Sequence, residues 1–446
     1  MRDFVSGVQR SSSVKVFGIA LLILILLIPV AMTRGVVDDR MAIAATVRHD
    51  IMRSWGQPQT VGGPILVLPY TIEHLNYYED RREEQGQAFL LPRELRIETD
   101  LVPEIRHRGI HEVPVYTASN TISGTFDMPE TSGLGIDNAR FDWDRAYFAL
   151  AITDARSVRN APAIEIGGRT SGFEAGGNQV AGFPPQIVAP AATLLDADAR
   201  QAEFSFTIRL DLSGTDELQY LPLAEMTTVT MHSSWPSPSF TGGYLPANRE
   251  VRDDGFDATW RVSSLGRALP SRWTNTSYHY QATENAAFGV SIFIPVGIYQ
   301  LADRATKYAV LIIGLTFVGY FLFEVLSSLH LHPLQYLLVG LANALFYLLL
   351  LSFSEHLGFG WSYLVSAAAS TGLIAAYSAS ILQSSRHAAL VVPMMVCLYG
   401  FLYITLSAET FALLAGSIGL WVSLGLVMYL TRRIDWYKWG SAEPEQ

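Results

Sequence analysis

A single cysteine, Cys397, in 446 residues rules out an intrachain disulfide, so any folded region must draw its stability from its own core. Charge is sparse as well, at 16% of residues with a formal net charge of -10. No basic stripe with interleaved aromatics occurs, which gives no reason to expect a nucleic-acid partner. Common catalytic signatures are missing: there is no HExxH, no G-x-S-x-G and no phosphate-cradling P-loop. His330 and His332 stand two apart without a carboxylate or cysteine cluster. Residues at that spacing point to different faces of a helix, which favours a turn beside Pro333 over a metal site. The sequence therefore predicts no metal, no cofactor and no catalytic constellation.

Long hydrophobic runs are what the chain does have. Half of its residues are hydrophobic and its mean hydropathy is +0.23, too apolar for an ordinary soluble protein and too polar for one lying wholly in lipid. A membrane-spanning helix needs about 20 mostly apolar residues to cross a hydrocarbon layer of about 30 Å. Segments 16–33, 308–327, 334–353, 361–382, 389–406 and 411–430 approach that length. They predict six spans around a charged stretch at 34–307.

Lys and Arg in short loops are retained on the cytoplasmic side. Arg2, Arg10, Lys15, Arg386, Arg432, Arg433 and Lys438 then lie inside, while the loops 354–360 and 407–410, which have no Lys or Arg, lie outside. Both termini are expected in the cytoplasm, with 34–307 across the bilayer. Arg34, Arg40, Arg304 and Lys307 run against this distribution. They have Asp38, Asp39 and Asp303 beside them, and long translocated domains largely escape the rule. The run 19–30 is followed by Ala31, Met32, Thr33 and Arg34 rather than an A-x-A cleavage pattern, so the first span reads as an uncleaved anchor.

The stretch 34–307 reads mainly as β structure. Phe204, Phe206, Ile208, Leu210 and Leu212 alternate with polar residues, the period of a strand with one buried face. Shorter runs at 65–70, 227–231, 260–262 and 290–296 are separated by Gly and Pro. Ile43, Val47, Ile51 and Trp55 recur every fourth residue and predict a helix over 40–55. Near 161–192 the chain turns rich in Gly, Pro and Ala. That segment is expected to be a long loop or a boundary between two lobes.

Within the spans, Ala368, Gly372, Ala376 and Ser380, and again Ala415, Gly419 and Ser423, repeat every fourth residue, a spacing that lets helices approach closely. Trp361 and Tyr363 at one face, and Trp436, Tyr437 and Trp439 at the other, suit interfacial belts. Ionisable groups deep in a bilayer are kept for function. The candidates here are Glu324, one turn from the inner end of the second span and expected at the interface, and Glu355 with His356 at the outer end of the third. Asn343, the strongest polar residue near a span centre, is expected to bond between helices. Glu409 falls in an outer loop.

The most specific external segment, 233–246, places Trp235, Pro236, Pro238, Phe240 and Tyr244 in SSWPSPSFTGGYLP. Two prolines one residue apart favour an extended backbone, and the double glycine permits a reversal. Such a loop could present its aromatics as a binding surface, or the rings could cap the end of a sheet core, the more usual fate of large aromatics.

These strings together resemble the CreD family of inner-membrane proteins. The resemblance is carried by HPLQYLLVGLANALFYLLLLSFSEHLGF from His332, by SWG at Ser54 to Gly56 with Gly63 and Pro64, by WPSPSF, by KYAVLIIGLTFVGYFLFEVL from Lys307 and by TRRIDWY from Thr431. It covers nearly the whole chain, with the loop at Ser407 to Thr410 less acidic than the resemblance would lead one to expect. It implies a protein of the Gram-negative inner membrane, associated with cell-envelope integrity, with two-component envelope stress responses and with tolerance of colicins and β-lactams. It supplies a process without a biochemical activity.

The expectation is thus a polytopic α-helical membrane protein with six transmembrane helices and a large β-rich (α+β) periplasmic domain. Its parts would be a cytoplasmic N-terminus at 1–15, an anchor at 16–33, the periplasmic domain at 34–307, a five-helix bundle at 308–430 and a cytoplasmic tail at 431–446. The leading functional expectation is non-enzymatic binding of an envelope component or partner protein by the periplasmic domain, with the lipid bilayer as the other partner. The alternative is a transporter or lipid-handling channel formed by the helices and using Asn343. A weaker third reading is a membrane-surface hydrolase centred on Glu355 and His356.

Overall fold

The computed structural model describes residues 12–75, 81–127, 134, 136, 139–177, 180–195, 203–266, 269–274, 285–292, 297–327, 331–381, 385–408 and 412–432. The chain divides into a helical unit, 1–45 with 296–446, and a β unit, 46–295.

The first helix, α1 (Ser12–Trp55), runs 44 residues without interruption. At 1.5 Å per residue it is about 66 Å long, roughly twice the hydrocarbon thickness. The helix expected at 40–55 is therefore the continuation of the first span. Pro29 inside α1 removes one backbone donor, and Thr33 Oγ1 donates to the Pro29 carbonyl at 3.0 Å. The remaining helices are α2 (Ile298–Lys307), α3 (Ala309–Ser327), α4 (Pro333–Leu357), α5 (Phe359–Ile381), α6 (Ser385–Ser407) and α7 (Ala412–Thr431). Among the described residues five helices are long and apolar enough to cross a membrane, or six if α2 and α3, bent by 45° at their junction, form one broken span.

Helix α4 is the hub, packing against α2, α3 and α5, while α6 bridges α3, α5 and α7. It starts sharply at Pro333 because His332 caps it: His332 Nδ1 accepts from Leu334 N at 3.2 Å and Gln335 Oε1 accepts from His332 N at 2.9 Å. His332 is thus a helix cap, and His330 lies outside the described residues. At Gly340 a β-carbon would stand 2.1 Å from Leu26 Cδ1 and 2.9 Å from the Phe317 ring, so glycine there lets α1, α3 and α4 meet.

One packing expectation is corrected on α5. Ala368, Gly372, Ala376 and Ser380 lie on its exposed side, and the buried face carries Ser362, Ser366, Ser370, Ile374 and Ser378. Apart from Ser380, the exposed stripe is alanine and glycine, which leave no polar group unpaired in apolar surroundings, whereas the buried hydroxyls seek partners inside the protein. On α7 the stripe Ala415, Gly419, Ser423 is half-buried, on a helix that packs against α6.

The strands of the β unit are β1 (Gln59–Leu75), β2 (Arg81–Leu90), β3 (Glu94–Arg108), β4 (His111–Phe126), β5 (Arg140–Phe141), β6 (Tyr147–Ile152), β7 (Ala163–Ile166), β8 (Arg169–Gly172), β9 (Glu174–Gly177), β10 (Gln186–Pro190), β11 (Phe204–Thr215), β12 (Glu217–Tyr220), β13 (Met226–Ser233), β14 (Ser239–Gly242), β15 (Asn248–Arg252), β16 (Gly255–Ser263), β17 (Arg272–Thr274) and β18 (Phe288–Ser291). One sheet runs β14-β18-β12-β1-β6-β10-β9 with β2, β5 and β17 attached beside β1. The other runs β15-β16-β13-β3-β4-β11-β7-β8. Leu66, Phe148, Tyr220 and Val290 of the first share one core with Ile97, Ile122, Ile208, Val229 and Trp260 of the second, so the two sheets form a sandwich.

The alternation at 204–212 is met by β11, whose Phe204, Phe206, Ile208, Leu210 and Leu212 are buried. The runs at 65–70, 227–231 and 260–262 fall in β1, β13 and β16. The run at 290–296 is a strand through Ser291, with 293–296 outside the described residues. The loop or lobe boundary expected near 161–192 is corrected: β7 to β10 occupy it, distributed over both sheets. Four- and five-residue edge strands are too short for the alternation of a half-buried strand to register, and their glycines read as loop.

Candidate functional site

In the β unit, the end of α1 is fastened to the sandwich through Trp55. Its indole lies between the guanidinium groups of Arg106, at 4.3 Å, and Arg159, at 4.6 Å, and its Nε1 donates to the Tyr116 carbonyl at 3.1 Å. Ser213 Oγ donates to the Trp55 carbonyl at 2.5 Å and Thr215 Oγ1 to that of Gly56 at 3.1 Å. Gly56 has φ +141°, and a β-carbon there would lie 2.6 Å from the Ser213 carbonyl, which accounts for glycine after the tryptophan. Ion pairs Arg48–Asp216 at 2.6 Å and Arg108–Asp50 at 3.0 Å flank the junction.

The segment 233–246 turns its rings inward. Phe240 packs edge-on against Phe256 and Trp260, and Tyr244 edge-on against Phe288. Trp235 is half-buried against the same core, with Nε1 donating to the Ser237 carbonyl at 3.0 Å. Pro238 is half-buried and Pro236 exposed. The aromatics thus close the end of the sandwich. What the segment holds outward is aliphatic: the Tyr244 hydroxyl donates to the Gly266 carbonyl at 2.5 Å, joining two loops whose neighbouring residues Leu245 and Leu265 are 70% and 96% exposed. Sequence reading passed over both leucines, because an isolated leucine in a loop carries no signal.

Two acidic centres of the β unit are tied to arginine. Hydrogen bonds from Arg156, through Nε at 2.9 Å, Nη2 at 3.1 Å and its backbone N at 3.2 Å, hold the Asp154 carboxyl below its usual range. Arg252 and then His232 lower Asp257 in the same way. Across the sandwich, Tyr220 of β12 bonds to Thr99 of β3 at 2.6 Å and to Asn120 Oδ1 of β4 at 2.5 Å. Asn120 Nδ2 donates to the Leu210 carbonyl at 3.0 Å. Burial raises the Tyr220 phenol above its usual value, keeping it a neutral donor.

In the helical unit, the Glu324 side chain is 1% exposed and pairs with Lys15 of α1. The Tyr336 hydroxyl donates to it at 3.0 Å and the Leu331 amide at 3.4 Å. Lys15 and Tyr336 are therefore site residues that sequence reading missed. Pairing with a cation and two further donors satisfies a charge whose isolated burial would be costly.

At the other end of α4, Glu355 pairs with Arg40 at 3.3 Å and accepts from the Tyr299 hydroxyl at 3.2 Å. His356 is exposed. The two occupy the last turn of α4 rather than a loop, and they diverge as adjacent helical residues do. Nearby, Asp303 takes Arg34 at 3.3 Å and Lys307 at 2.7 Å.

Asn343 is fully buried, and its Oδ1 accepts from the Tyr399 hydroxyl at 3.0 Å, a bond between α4 and α6. The Tyr363 hydroxyl of α5 donates to the Tyr399 carbonyl at 2.5 Å. Phe346 stacks on Tyr399 with ring centroids 4.5 Å apart and meets Tyr363 edge-on at 5.4 Å. Asn343, Glu324 and Glu355 thus occupy three separate places along the helices. Glu409, Trp436, Tyr437 and Trp439 lie outside the described residues.

The family model described as "Inner membrane protein CreD" matches residues 11–437. The inner membrane protein CreD of Escherichia coli (strain K12) is 34% identical over 420 residues, covering 93% of this chain and 91% of that protein.

Proposed function

The chain belongs to the family of the inner membrane protein CreD, and from that premise we propose that it spans the inner membrane six times, keeps both termini in the cytoplasm and uses a periplasmic β unit to bind an envelope component. By this binding it contributes to envelope integrity under stress, including exposure to β-lactams.

The orientation places Arg34, Arg40 and Lys307 outside, against the usual distribution of cations. Their ion pairs with Asp303 and Glu355 supply local compensation. Binding rather than catalysis is favoured by the fate of the Glu355 and His356 pair, since Glu355 is engaged by Arg40 and Tyr299 while His356 is exposed.

The observation that carries the binding reading is the pair Leu245 and Leu265. Two bonded loops hold these aliphatic side chains outward at the end of the sandwich, 70% and 96% exposed, where the aromatic rings beneath stiffen the surface and reduce the ordering cost of binding. A photo-crosslinking amino acid at position 245 or 265 in intact cells should capture a defined envelope species, with little capture from exposed Arg96 on the same unit. Equal or no capture at all three positions would end the proposal.

A second reading, movement of a substrate through the helical unit, is favoured by the buried polar cluster around Asn343. Vesicles carrying the purified chain would then show a flux that Asn343→Leu abolishes.

A further inference from the structure

Among the described residues, three polar side-chain atoms buried in the helical unit have no hydrogen-bond partner: Nδ2 of Asn343 and the hydroxyl oxygens of Tyr347 and Ser366. Their residues are 0 to 2% exposed. Asn343 and Tyr347 are one turn apart on α4, and Ser366 and Ser370 one turn apart on the buried face of α5, which packs along α4. Tyr399 of α6 draws the group together. Its hydroxyl donates to Asn343, Ser370 is a side-chain hydrogen-bond partner of that phenol, and Tyr347 lies close by.

The unmet groups do not depend on how the amide is turned. Whichever end of Asn343 meets Tyr399, the other end is left unpaired. Nor do the two serines close on their own helix, as serines in lipid commonly do. Ser362 and Ser378 of α5 donate to the carbonyls of Gly358 and Ile374, each at 2.6 Å, whereas Ser366 and Ser370 do not. Three unpaired groups in one water-excluded place cost free energy that bulk solvent cannot return.

The chemistry of the cluster defines its guest. An amide N–H repels a cation, and neutral hydroxyls provide no countercharge for an anion in surroundings of low dielectric. The guest must be neutral, must both donate and accept, and must be small enough to be enclosed. We propose that α4, α5 and α6 enclose a bound-water site in which one or more waters bridge Asn343 Nδ2 to the hydroxyls of Tyr347, Ser366 and Ser370. This inference stands whether or not the helices move a substrate, because it concerns satisfaction of the resting structure.

Radiolytic hydroxyl-radical footprinting tests it on the full chain in detergent, since X-ray pulses generate radicals from bound water beside buried side chains. Tyr347 should be labelled several-fold faster than Phe317, an enclosed ring of α3 that packs against Tyr336 and has no polar atom of its own. In the double variant Ser366→Ala with Ser370→Ala, that labelling should fall several-fold and the melting temperature should drop, because the waters lose two partners. Equal labelling of Tyr347 and Phe317 would overturn the proposal. So would labelling unchanged in the double variant, or a rise in melting temperature, the sign expected when unsatisfied hydroxyls are removed from a dry core.

Discussion

The sandwich and the helical unit both bury polar side chains, and they satisfy them differently. In the sandwich, Thr99, Asn120 and Tyr220 come from facing sheets and close on one another and on the Leu210 carbonyl. Around Asn343 the corresponding set stays open, with three atoms unpartnered among the described residues. The difference follows from the backbone. A sheet offers strands from two layers at fixed spacing, so this set finds both side-chain and carbonyl partners, while Thr227 Oγ1 and Trp260 Nε1 of the same unit have none among the described residues. A helix consumes most of its own carbonyls, leaving side chains to share one, as Ser362 and Ser378 do, to pair with side chains or to take a guest.

Breaking a closed set should have the largest effect. Lys15→Ala leaves the Glu324 carboxylate buried without its cation and should cost about 3 kcal/mol or more, read as a lowered melting temperature of the full chain in detergent. In Lys15→Met with Glu324→Leu the charge is removed from both sides, and most of that loss should be recovered. An equal deficit in single and double variants would show that the pair is not the source.

In the sandwich, Asn120→Leu leaves the Thr99 and Tyr220 hydroxyls only one another and takes the side-chain donor from the Leu210 carbonyl, with an expected loss of about 2–3 kcal/mol in denaturant unfolding followed by tryptophan fluorescence. Tyr399→Phe enlarges the open set by one acceptor, Asn343 Oδ1, at a cost of about 1 kcal/mol. A loss as large as that of Asn120→Leu would erase the contrast between the units.

The smallest effect is set by pH. Because Arg156 lowers the folded Asp154 carboxyl, the contribution of Asp154 is complete above the unfolded carboxylate value, about 3.9, and is lost as pH falls through the lower folded value. Asp154→Asn should therefore be slightly less stable than wild type near neutrality, with the gap closing in acid. A gap constant across a pH series would assign the effect to the turn geometry instead of the charge.

The helices and the longer strands were legible because hydrophobic length and period two are properties of contiguous sequence, as 334–353 and 204–212 illustrate. The partners of Glu324 were not, since Lys15 lies 309 positions away and a carboxylate one turn from a span end reads as interfacial. The serine face of α5 was hidden behind an alanine and glycine stripe of the same period, and only the presence of neighbouring helices separates the two. In segment 233–246, the aromatics that drew attention serve the core, and the outward leucines beside them were invisible until two distant loops were joined.

Gly340 carries one more consequence. Little of the apolar stretch of α1 is buried by protein, and Leu26, one of its few enclosed residues, rests where the missing side chain would be. Insertion of α1 into lipid depends on its own apolarity, whereas its lateral attachment to the other helices passes through this narrow gap. A single methyl group at position 340 would act as a wedge, leaving an anchor that still enters the bilayer but drifts free of its neighbours.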